Sequence, residues 1–114
     1  MDEKKLSQLA EVIFQQLGLK EEMSKKFIKV ACEAIKTFDE NHTEKGLEPY
    51  TEYGPVGIMI EFDKKRNKLR NNYHPVVQEK YSSEEVEKAW KDAAVYALMG
   101  YLVESGEWHG PGGK

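Results

Sequence analysis

Carboxylates, cations and tyrosines gather in two stretches of this chain. In the first, Asp63, Asn67 and Arg70 recur at helical spacing and extend the line that Val56, Met59 and Ile60 begin, so polar groups take over a face that starts apolar. Such a face could form the floor of a pocket for a metal or a phosphate, because charge taken out of water is kept only with partners. The simpler account is a helix that emerges into solvent after Phe62. The same stretch carries Lys64, Lys65, Arg66, Lys68 and Arg70, five cations in seven residues of an otherwise acidic chain. They could neutralise a nucleotide polyphosphate, with arginine supplying a two-pronged donor. A cationic C-terminal half is also what the helix macrodipole favours.

The second stretch carries Glu84, Glu85, Glu87 and Asp92. At 100° per residue Glu85, Asp92 and Tyr96 fall within about 40° of one another around a helix. Hard cations such as Mg²⁺ take carboxylate oxygens at this kind of spacing, with substrate phosphates completing the shell. Acidic residues in a first helical turn are equally explained by the dipole, which covers Glu84, Glu85 and Glu87. Asp92 stands apart, mid-helix, where Tyr96, Met99 and Val103 make its own face apolar. Tyr50 and Tyr53 flank the start of the first stretch and could stack on a base or close the edge of a core. Trp90 and Trp108 read as packing residues and Cys32 as a small core residue. His42, His74 and His109 show no ligand spacing.

Four helical segments would position these groups. Leu6, Leu9, Ala10, Ile13 and Leu17 repeat at helical spacing, with Gly18 where a left-handed C-cap belongs. Met23, Phe27, Val30, Ala31, Ala34, Ile35 and Phe38 form one amphipathic face over Glu21 to about Glu40. A long loop is expected from Asn41 to Gly54. Pro55 suits the first turn of a third helix that faces Val56, Met59 and Ile60 inward and ends near Asn71. His74-Pro75 lies in the following loop, since the residue before proline is pushed out of the helical region. Ser82 and Glu85 read as a capping box opening a fourth helix that runs to about Ser105. Its main stripe is Val86, Trp90, Ala93, Ala94, Ala97, Tyr101 and Leu102. Val95, Met99 and Val103 make its second half apolar nearly all round, as if central or covered by a second subunit.

These segments predict an all-α fold, about a four-helix bundle, in one domain over 1–109 with a flexible tail at 110–114. The chain has 114 residues, room for one modest core. A net charge of −3 and a pI near 5.7 argue against direct nucleic-acid or anionic-membrane binding. The single cysteine fits a reducing compartment, and with neither a membrane span nor an apolar signal region the reading is cytoplasmic. A homodimer is expected, because a small chain with a helix apolar all round often covers that surface with its own copy.

Tyr53-Gly54-Pro55-Val56, the segment Ile58 to Leu69, Glu84-Glu85-Val86-Glu87 and Asp92-Ala93-Ala94-Val95-Tyr96-Ala97-Leu98-Met99 together resemble a phage and bacterial family, the nucleotide-modification-associated domain 1 family. That family looks like a distant relative of the MazG-type all-α nucleoside triphosphate pyrophosphohydrolases. The resemblance covers about Ala34 to Trp108. It implies a MazG-like helical, commonly oligomeric, nucleotide-handling protein whose relatives use Mg²⁺ to cleave between the α and β phosphates. Those relatives carry paired carboxylates three residues apart on two helices, and this chain departs from both pairs: Glu61 is followed by Lys64, and Ala89 stands three residues before Asp92.

Two functions from different classes follow. In the first, a nucleotide is held by Arg66, Asn67, Arg70, Tyr53 and Tyr96, with Mg²⁺ on Asp63, Asp92 and Glu85, and any enzyme activity would be Mg²⁺-dependent pyrophosphohydrolysis. In the second, a non-catalytic, phage-type interaction protein binds a host protein through a helical surface; the acidic net charge and the missing carboxylate pairs favour it.

Overall fold

A computed structural model describes residues 2–45, 55–76 and 80–108. The chain is all-helical, with four helices and no strand among the described residues: α1 Glu3–Gln16, α2 Met23–Lys45, α3 Pro55–Tyr73 and α4 Ser83–Glu104. Two compact units are distinguished, Met1–Asn41 and His42–Lys114.

The first unit holds α1 and most of α2. The Asp2 side chain caps α1 by accepting the Lys4 amide at 2.8 Å. At the other end Gly18 takes φ +65°, and the amides of Gly18 and Leu19 donate to the carbonyls of Gln15 and Phe14, each at 3.1 Å. Those two bonds make the Schellman closure that a left-handed glycine permits. Leu6 and Ala10 are the buried residues of α1. Lys25 of α2 reaches Glu11 at 2.8 Å and lies over the Phe14 ring at 4.7 Å, and Lys29 pairs with Glu3.

Most of the amphipathic stripe expected on α2 is open, although its Ala34 and Phe38 are half-buried. Met23, Phe27, Val30 and Ile35 are all exposed, Phe27 by 72%. The helix instead shows α1 the face of Lys25, Ile28, Lys29 and Cys32, all half-buried, whose lysines find carboxylates while their stems cover apolar surface. The helix also runs past Glu40 into the expected loop as far as Lys45. Asn, His and Thr cost only a few tenths of a kcal/mol each within a helix, and no glycine or proline intervenes before Gly46.

The second unit is the antiparallel pair α3 and α4. Pro55 occupies the first position of α3, which continues to Tyr73, two residues beyond expectation, and stops before His74-Pro75. Val56, Met59 and Ile60, expected inside, are exposed, whereas Ile58 is 2% exposed and Leu69 is buried. The inward line of α3 is therefore Ile58, Phe62, Lys65 and Leu69. On α4 the buried residues are Ala89, Met99 and Val103; of the stripe expected to pack, Ala94, Ala97, Tyr101 and Leu102 are exposed, Val86 and Ala93 are half-buried, and Trp90, though exposed, still reaches Tyr73 of α3 with its indole N–H.

Two features mark the covered face of α4. A methyl group placed on Gly100 would stand 3.6 Å from Ile58 Cγ2, an ordinary contact distance, so the small residue at this position lies directly against Ile58 of α3. The same face also carries carboxylates that meet lysines of α3. Beyond the helix, Gly106 at φ +81° repeats the closure seen at Gly18, with its amide on Val103 and that of Glu107 on Leu102, and the next residue, Trp108, is buried as expected.

Candidate functional site

Every described residue proposed for a site lies on the second unit. Asp92, half-buried on the inward side of α4, accepts Lys88 at 2.9 Å along its own helix and Lys65 of α3 at 3.3 Å. About two turns toward the N-terminus of α4, Lys68 of α3 approaches Glu85 at 3.6 Å and sits over the Tyr81 ring at 4.9 Å. Charged pairs thus line the seam between the two helices at the end remote from Gly100.

Glu85 has a second task. Its amide donates to Ser82 Oγ at 3.2 Å while its own Oε1 accepts the Ser82 amide at 3.2 Å, which is the expected capping box. The Ser82 backbone amide, with the Ser82 hydroxyl and Lys68 behind it, holds the Glu85 carboxyl below its ordinary range. Asn72 ties the connection down by accepting the Tyr81 amide at 3.1 Å on its side chain and Lys80 at 3.2 Å on its carbonyl. Beside it the indole N–H of Trp90 donates to Tyr73 Oη at 3.1 Å.

Asp63 is elsewhere. It pairs with Arg66 at 3.2 Å on α3 itself, and with Asn67 and Arg70 it lies more than about 100° round the helix from the line that faces α4. Asn67 and Arg70 are exposed and Tyr96 is half-buried; Tyr53 lies outside the described residues. Lys64, from the same cationic run, pairs with Glu61 at 3.1 Å. Asp63, Asp92 and Glu85 accordingly do not converge, and among the described residues no group of three carboxylates, histidines or cysteines is placed to hold a metal. This arrangement does not fit Mg²⁺, which needs near-octahedral oxygens at about 2.0–2.1 Å rather than carboxylates each held by a cation.

The second half of α4, read from its sequence as central or covered by a second subunit, has an open outer face. Residues 93–103 hold no charged side chain, yet Trp90 is 55% exposed, Leu98 61% and Tyr101 69%, with Leu102, Ala94 and Ala97 also exposed. The signal was present as eleven residues without a charge, a pattern that assigns a helix to an interior. That pattern leaves open whether the cover comes from the same chain or from a second subunit, because it does not tell the stripe that packs from the stripe that does not. No helix of the described residues is long and apolar enough to cross a membrane, so that face does not mark a membrane span. In comparisons with family models, curated proteins and solved structures nothing matches this chain, and its geometry alone must carry a functional reading.

Proposed function

We propose that this chain is a non-catalytic helical interaction module that works through the apolar outer face of α4. The observation that carries the reading is the exposure of Leu98, Tyr101, Leu102 and Trp90 on a helix with no charge between Asp92 and Glu104. The largest apolar patch on a soluble monomer is often functional, and depletion of charge with enrichment of tyrosine and tryptophan is the composition of the fully buried centre of a protein interface. The seam of α3 and α4 supports the same reading from the other side. Its carboxylates are already neutralised by lysines, so they serve the pairing of the helices.

A thermal-shift screen against nucleoside mono-, di- and triphosphates, with and without Mg²⁺, tests this. Flat curves are expected, because a ligand raises the midpoint only if it binds the native state. A rise of several degrees that is lost in the D63A/D92A double variant would replace the interaction reading with a nucleotide site built on Arg66, Asn67, Arg70 and Tyr96.

A further inference from the structure

We infer that the occupant of this face is a second copy of the chain, with α4 lying antiparallel to α4 about a two-fold axis between Ala97 and Leu98. The inference rests on the interaction reading and names its partner.

Area and composition point to a copy rather than a passing partner. An aromatic side chain carries roughly 150–250 Å² and a leucine somewhat less, so the exposed fractions of Trp90, Leu98, Tyr101 and Leu102, with the two alanines, present on the order of 500 Å². That matches the largest patch found on a typical monomer, about 300–600 Å². Doubled by its own copy it gives roughly 1,000–1,200 Å² in total, the lower bound of a specific interface. Non-obligate interfaces are about as polar as ordinary surface, while homodimer interfaces are the more apolar class. A face without charge over three turns belongs to the second class.

The order of residues along the face selects the antiparallel arrangement. About a centre between 97 and 98, Ala94 stands opposite Tyr101 of the second copy and Ala97 opposite Leu98, so each large side chain meets a small one. An in-register parallel pair would set Tyr101 on Tyr101 and leave Ala94 facing Ala94. It would also bring Glu87, exposed on the same side of α4, against its own copy, and like charges face to face are unfavourable.

The experiment is light scattering on the full chain at micromolar and at submillimolar concentration, joined to cysteine cross-linking in a C32S background. Wild type is expected to approach twice 13.1 kDa at the higher concentration. L98D, an exposed substitution that leaves the α3–α4 seam untouched, should keep its helical circular dichroism and raise the dimer Kd at least about tenfold, since a carboxylate would be buried in an apolar contact. L98C should form a disulfide-linked dimer on mild oxidation. A94C should not, because its two copies would stand seven residues apart along the axis, about 10 Å, beyond disulfide reach. Linking by both variants would overturn the antiparallel geometry. A monomer at every concentration together with a flat nucleotide screen would sink the self-pairing alone, whereas a nucleotide-induced shift would sink the interaction reading beneath it.

Discussion

The two faces of α4 invert the usual relation between hydrophobicity and burial. Its inward face carries Glu85, Asp92 and Gly100 among its apolar residues and is the covered one; its outer face, with Trp90, Leu98, Tyr101 and Leu102, is open. Hydrophobic transfer is non-directional and would take either face. The covered face is marked by short-range features: a small residue set against Ile58, and charges that find opposite charges across the seam. An apolar surface left over by the pairing of α3 and α4 is available for a further contact.

The contrast breaks most sharply at adjacent residues. M99A removes a side chain that is 2% exposed and should cost about 2–4 kcal/mol in urea unfolding, the range for a large-to-small change in a core. L98A, one position away, should stay within about 0.5 kcal/mol when measured at high dilution. Equal losses at the two sites would mean that the outer face is covered within the chain, and the contrast would disappear.

A smaller effect is expected in the seam. Asp92 is shared by Lys65 and Lys88, and D92A should lower stability by about 1 kcal/mol, given that partly exposed ion pairs contribute roughly 0–1 kcal/mol each. K91A, on the exposed side of the same helix, should be neutral by the same assay. A D92A variant that loses no stability would assign Asp92 to something other than holding the helices together.

The weakest effect concerns acid. With its carboxyl held below the ordinary value of 4.5 by the Ser82 amide, Glu85 favours the folded helix in its ionised form. That contribution is complete above the unfolded value and is lost as pH falls through the lower folded one. E85Q keeps a group able to cap the helix but cannot titrate, so the loss of stability on acidification should become shallower than in wild type. An unchanged acid limb would show that the capping box does not feel pH.

What the sequence made legible divides along the same line. Helix ends depend on residues a few positions apart, and Gly18, Pro55, the Ser82–Glu85 box and His74-Pro75 stand where they were expected to act. Met99 and Val103 are buried in the half of α4 expected to be central, but most of the apolar stripes expected on α2, α3 and α4 are exposed, because periodicity finds an apolar stripe without saying which stripe another helix will cover. Ile58 was overlooked beside Val56, Met59 and Ile60, since its inward line passes through Lys65 and breaks the apolar count. The Lys88–Asp92 pair could be read from its spacing along one helix, whereas the reach of Lys65 to Asp92 and of Lys68 to Glu85 needed the register of two helices, which no local pattern encodes.

Gly100 has a mechanical consequence. Alanine there would meet Ile58 at ordinary contact distance, and by its better helix propensity should be tolerated or mildly stabilising. A branched side chain would act as a wedge, and because Asp92 lies eight residues along the helix, about 12 Å from it, a small tilt at that fulcrum would be magnified where Lys65 and Lys68 reach across. A residue no larger than alanine at position 100 is thus what keeps the spacing on which the distant charged pairs depend.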